Sequence, residues 1–298
     1  VGLRKLSLLV LLALLAASCE QEKTGPRYGT EPARKQPPLT FAVHPLHNPA
    51  KLLAAYQPLI DYLNANLEEE RIVLEASRDY RVFEEKYTAR KPAFLLPNPW
   101  QTQQAKAGYQ VIAMAGDPAD FKGLILVRKD SGIQHPADLK GRAISYPAAT
   151  ALAACIMPQY FLHRHGINVL RDIDNRYVGS QESAIMNAYL GKTAAGATWP
   201  TPWRAFQREH PREASELRVA WETESLINNS VMVRNDLPAP LKERMRKLLT
   251  ELHTSEQGRA ILAGMEIARF RPANNADYDV VTEYIARFEA DVRKVELK

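Results

Sequence analysis

From residue 39 to residue 209, short apolar segments rich in β-branched residues alternate with longer stretches of helical periodicity, and that alternation leaves few folds open. Strands are predicted at 39–43, 72–75, 93–96, 109–114, 123–128, 142–146, 176–178 and 195–198. Helices are predicted from Pro49 onward and at 80–88, 99–107, 150–164, 181–190 and 203–209. A helical crossover returns the chain to the end where the previous strand began, so strands joined this way run parallel. Asn48-Pro49 opens the first helix with a capping side chain and a proline in the first turn, and Pro58 inside it predicts a kink or a split. Gly166 and Gly191 stop two of the others. Beyond 209 the pattern predicts strands at 218–221 and 231–234, then helices at 240–253, 255–263 and 277–295, the last with Val281, Tyr284, Ile285, Phe288 and Val292 on one face. The fold class is α/β in two tandem units. The strands near Gly123 and Val231 are expected to cross between them, which makes the first lobe discontinuous: 39–128 with 222–298, against 129–221.

One stretch, 137–166 (ADLKGRAISYPAATALAACIMPQYFLHRHG), points to a ligand. Its strand breaks at Pro147 and passes through Ala148, Ala149 and Thr150 into a long apolar helix. The first N–H groups of a helix have no partner inside it and carry the positive end of its dipole, and small side chains let a molecule approach them. The competing reading is that Ala148-Ala149 only packs the helix start against a neighbour.

Residues 1–19 read as an export signal: Arg4 and Lys5 precede an apolar run too short to span a bilayer, ending in Leu15-Ala16-Ala17-Ser18-Cys19. Small residues before a cysteine resemble the bacterial lipoprotein cleavage box, with Cys19 as the lipidated residue; cleavage near Ala17 to a secreted soluble protein is the alternative. Residues 20–38 are polar and rich in Pro and Gly, a flexible tether. Without Arg4 and Lys5 the net charge falls from +5 to +3, with no basic stripe for nucleic acid. Cys155 then has no disulfide partner besides Cys19, and on an apolar helix face it reads as inert core. No GxSxG, HExxH, P-loop or GxGxxG occurs. His44 and His47 sit in a loop with no third ligand nearby, so no metal and no cofactor are expected.

Five blocks, 44–64 (HPLHNPAKLLAAYQPLIDYLN), 95–105 (LLPNPWQTQQA), 123–154, 177–203 (YVGSQESAIMNAYLGKTAAGATWPTPW) and 231–262, together resemble the phosphate/phosphite/phosphonate-binding proteins of ABC importers. The resemblance implies the type II periplasmic binding fold: two lobes, each a mixed, mostly parallel sheet flanked by helices, joined by two crossover strands and closing on a small ligand. Matched motif by motif, it implies ligand contacts from Tyr56, Asn98, Trp100, Ser145, Tyr146, Thr150, Ser180, Gln181 and Trp199. Two departures weaken an oxyanion as ligand. Alanines stand at 148–149 where the family has hydroxyl side chains, and Gln181 stands where it has a histidine.

Each candidate has a plainer role. Ser180 caps the helix that follows, and Glu182 complements its dipole. Trp100, Trp199 and Trp203 either close the core or line the cleft with aromatic surface suited to an organic ligand, and Pro200 and Pro202 are expected to hold the 199–203 loop rigid. The expected function is a periplasmic solute-binding lipoprotein, monomeric, anchored through its lipid alone and delivering a phosphonate-, phosphite- or phosphate-like oxyanion or a small organic molecule to an ABC permease. The alternative is a ligand sensor acting on a membrane histidine kinase or cyclase. An enzyme on this fold would need a nucleophile, metal or cofactor lysine in the cleft, and the candidates include none.

Overall fold

The computed structural model describes residues 37–296; the expected leader with Cys19, and the tether up to residue 36, lie outside them. The first sheet contains β1 (Leu39–Val43), β2 (Ile72–Glu75), β3 (Phe94–Leu96), β4 (Tyr109–Ala115), β10 (Ser230–Arg234) and β11 (Phe270–Pro272), in the order β11-β4-β10-β3-β1-β2. The second contains β5 (Leu124–Arg128), β6 (Arg142–Tyr146), β7 (Ile173–Tyr177), β8 (Ala195–Thr198) and β9 (Leu217–Glu222), in the order β7-β6-β8-β5-β9. β1 pairs parallel with β2 and β3, and β6 with β7 and β8, while β10, β11 and β5 pair antiparallel with their neighbours.

The continuous apolar runs of the strands follow from helices on both faces. In the first sheet Phe41, Val43, Phe94, Leu96, Val231 and Val233 point to one core, shared with α1 (Pro49–Asn66), α8 (Ala239–Glu251) and α9 (Glu256–Gly264). Their alternates Ala42, Leu95 and Met232 point to another, with α2 (Tyr80–Thr88), α3 (Pro99–Ala105) and α10 (Asp279–Asp291). That second core continues into the other lobe through Ile125, Val127, Ile144, Tyr146 and Leu152 to Met157, so the lobes are closed against each other. The far face of the second sheet is covered by α5 (Gln181–Tyr189) and α6 (Pro200–Glu209), with α7 (Pro211–Ser215) behind them.

Four expectations change. β5 pairs with β8 and β9, so it belongs to the second lobe; the expected boundary after residue 128 falls one strand too late, because GLILVR reads as a strand whichever sheet receives it. The connections between lobes are not strands but the segments 116–123 and 223–229, which run side by side: the Leu226 N–H donates to the Phe121 carbonyl at 2.9 Å and the Ser225 hydroxyl to that of Ala119 at 3.1 Å. Pro58 does not split α1, since it lies on the exposed face where the carbonyl it leaves unpaired meets solvent. Pro200 and Pro202 belong to the first turn of α6, where a missing N–H costs nothing, so the helix starts three residues before the predicted Trp203. Among the described residues no helix is long and apolar enough to cross a membrane.

Candidate functional site

The carboxyl ends of parallel strands in both sheets face the cleft, the usual place for a ligand in such sheets. From the first lobe come His44 just after β1, Tyr80 opening α2, Asn98 capping α3, and Asn229 next to β10. From the second come Ala151 to Ala154, Gln181 opening α5, and Trp199 after β8; Phe121 enters from a connection. Together they border a cavity with about 10 Å³ of room, on the order of one water molecule. A second cavity, bordered by Leu46, Tyr56, Asp120 and Glu266, shares Trp199 and Asn229 with it.

The helix that meets this cavity begins unusually. Pro158 has no N–H to give the Ala154 carbonyl, and the chain opens into a wider π turn over Leu152–Ile156 before continuing as α4 (Met157–Arg164). The first bonds of this 13-residue run are from the Ile156 N–H to the Ala151 carbonyl, at 3.1 Å, and from the Met157 N–H to the Leu152 carbonyl. The N–H groups of Leu152, Ala153, Ala154 and Cys155 therefore lack acceptors in the first turn, Ala151 offers no capping side chain, and all four residues are buried. Four buried donors at the positive end of a helix suit an oxyanion or carbonyl ligand.

Polar side chains lock the lobes around this point. Glu84 of α2 is 5% exposed; its Oε1 accepts from the Thr150 hydroxyl across the cleft at 2.6 Å and from Gln101 Nε2 at 3.0 Å. Burial nevertheless raises its carboxyl above the ordinary range. Asn98 exchanges a capping box with Gln101 and gives its Nδ2 to the Thr150 carbonyl at 3.2 Å. Gln181 accepts from Thr198 at 3.0 Å and donates to the Tyr80 hydroxyl at 3.3 Å. At the cleft edge Lys51 of α1 donates to Glu182 at 2.7 Å and also pairs with Glu209, both from the second lobe. His44 Nδ1 donates to the Leu96 carbonyl at 3.0 Å, and since a carbonyl only accepts, the neutral ring keeps its lone pair on Nε2. Burial holds His44 neutral down to a pKa of about 4.

A family model described as ABC transporter, phosphonate, periplasmic substrate-binding protein matches residues 41–278. The chain belongs to that family. A Prochlorococcus marinus (strain MIT 9301) chain described as a probable ABC transporter phosphite binding protein is 22% identical over 186 residues, which span 58% of this chain and 63% of that one. Among solved structures, the binding component of a phosphonate ABC transporter from Pseudomonas aeruginosa superposes with a TM-score of 0.79 at 14% identity, covering 85% of this chain and 87% of that one. The Prochlorococcus marinus protein PhnD1, solved with methylphosphonate, gives 0.77 at 18% identity, covering 84% and 98%. These likenesses establish the type II periplasmic binding fold.

Within this family member the nine expected contact residues divide. Asn98, Gln181 and Trp199 border the first cavity, and Tyr56 and Trp199 border the second. Thr150 stands beside the first, its hydroxyl engaged by Glu84. Ser180 caps α5 by accepting from the Ser183 N–H at 3.1 Å, and it borders neither cavity. Ser145 lies inside β6 with its hydroxyl donating to the Ala184 carbonyl at 2.7 Å, so it ties sheet to helix. Tyr146 packs in the core with its ring centroid 6.0 Å from that of Tyr177, and Trp100 is core as well. Trp203 stacks on Phe206 in the far core, which separates it from Trp199. Cys155 is buried and free, its thiol pushed up to about 12 by that burial.

His44, Tyr80, Phe121 and Asn229 border the cavity without having been expected there as ligand contacts. Two signals in the sequence pointed their way. Asn228-Asn229 stands between Leu226-Ile227 and the apolar strand β10, and His44 follows a strand directly. Among the described residues no cluster of three His, Cys, Asp or Glu could hold a metal ion.

Proposed function

We propose that this chain is the periplasmic solute-capturing component of an ABC importer, closing its lobes on a small oxyanion-bearing ligand held between the start of the 152–164 helix and the His44, Tyr80 and Asn229 side of the first lobe. The observation that carries the reading is the set of four buried, uncapped N–H groups beside a cavity where both lobes converge. Family membership supports it, and the phosphite- and methylphosphonate-binding relatives make compounds of that class the first to try. The ligand acts by differential affinity for the closed form, and no bond is made or broken. A cavity as small as this one means that the lobes close on any such ligand slightly less far than they close here.

Thermal shift on protein refolded to remove carried-over ligand tests this, with phosphate, phosphite, alkylphosphonates and small organic zwitterions as the panel. A ligand at about 100 times its Kd adds about 2.7 kcal/mol, which raises Tm by roughly 5–10 °C in a domain of this size. No rise with any compound would sink the solute-binding reading.

The chain is further proposed to act as a monomer on a permease while tethered by lipid at Cys19, on the strength of the leader and the small residues before that cysteine. Cys19→Ala should then move the protein from the membrane to the soluble fraction; unchanged membrane retention would remove the anchor.

A further inference from the structure

The cavity offers acceptors as well as donors, and it holds no cation. Asn229 is 3% exposed, borders both cavities, and leaves its buried Oδ1 without a partner. His44 borders the first cavity with its Nδ1 committed to the Leu96 carbonyl, so Nε2 is a second lone pair without a partner among the described residues. Across the cavity stand Leu152, Ala153 and Ala154, whose N–H groups have no acceptor. The Tyr80 hydroxyl already accepts from Gln181 and keeps its own hydrogen to give.

Among the described residues no Lys, Arg, Asp or Glu borders this cavity. In the adjoining one the charged residues are Asp120 and Glu266, carboxylates lying 3.6 and 3.4 Å from the Arg204 guanidinium. A dianion placed here would meet two lone pairs and no counter-charge. A cationic group would find no carboxylate in the first cavity.

We infer that the ligand of this cleft is a singly charged oxyacid that carries its own O–H, its charged oxygens on the helix N–H groups and its acid proton donated toward Asn229 Oδ1 or His44 Nε2. This rests on the solute-binding reading and narrows it. Ionised oxygens satisfy the donors, and the single retained proton gives one of the two acceptors a partner, Asn229 Oδ1 being the one buried without any.

Calorimetric titration at about pH 6 with methylphosphonate, largely the protonated monoanion there, and with methanesulfonate tests the inference. Methanesulfonate is a tetrahedral monoanion of like size that has no proton to give. His44 stays neutral at that pH. The protonated monoanion is expected to bind about 10- to 100-fold more tightly, the equivalent of one hydrogen bond and one relieved acceptor. His44→Phe, which removes one acceptor, should bring the two affinities closer together.

Equal binding of the two, or tighter binding of methanesulfonate, overturns the proton requirement while leaving a solute-binding protein. Binding of neither, with only an organic zwitterion of the panel raising Tm, overturns the oxyacid class alone. Binding of neither, with no compound in the panel active, overturns this inference and the proposed function together. The ratio is measured on the unaltered protein, so it stands even where the variant fails to fold.

Discussion

Thr150 is the residue at which the two lobes are tied together beside the cavity. Its carbonyl accepts from Asn98 and its hydroxyl donates to Glu84, both on the opposite lobe. Thr150→Val keeps the shape and deletes the hydroxyl, leaving the buried Glu84 carboxyl with Gln101 as its one remaining side-chain donor. The closed form should lose about 1–3 kcal/mol. Small-angle scattering of the ligand-free variant checks this through a larger radius of gyration than the parent's, and identical curves would remove Thr150 from the latch. Its position in the small-residue stretch before the apolar helix was legible in the sequence. Glu84 as its partner was not, because the two are 66 residues apart and only closure brings them together. Ser145 shows the opposite limit: a serine at a strand end reads as a cleft residue, and the pleat turns its hydroxyl toward the Ala184 carbonyl instead.

At the scale of elements, periodicity located most helices and strands to within a few residues, because a stripe or an alternation must face a core. It failed where a proline had two meanings. Pro158 lies in a run that reads as one regular helix from Thr150, yet its missing N–H widens the first turn, so that the Cys155 N–H joins those before it without an acceptor. Pro200 and Pro202 read as loop and prove to be helix-initiating. Close approach marks the same region: a Cβ on Gly123 would lie 2.7 Å from the Ala153 carbonyl oxygen, so the connection rests directly on the helix that meets the first cavity. Gly116, at φ +96°, allows the other end of that connection to turn beside the Asn228 side chain. Movement of the connections is thereby felt at the helix start.

For the whole molecule the buried histidines set the response to acid. Burial depresses His44 to about 4, and His47 likewise falls to about 4, chiefly through burial, with Glu209 and Glu182 opposing and Lys51 and Arg208 assisting. A folded pKa below the unfolded value of about 6.5 means that the unfolded chain binds more protons across this window, so stability is full near neutrality and is lost as pH falls from 6.5 toward 4. His44 alone accounts for about 2 kcal/mol between pH 7 and pH 5. Glu84 works in reverse: its raised pKa makes its contribution fade as pH rises above the ordinary carboxylate range. Chemical denaturation at the two pH values should show the parent losing stability on acidification and His44→Gln losing about 2 kcal/mol less. Parallel losses would contradict the assignment.

The alternation of strands and helices determined, without any structure, an α/β protein of two units, since local periodicity and helix-end chemistry act over a few residues. Which sheet takes β5, which hydroxyls turn inward, and the meeting of Asn229, His44 and the 152–155 N–H groups around one cavity were decided by tertiary structure. Those depend on pairings between residues far apart in the chain, which no local pattern encodes.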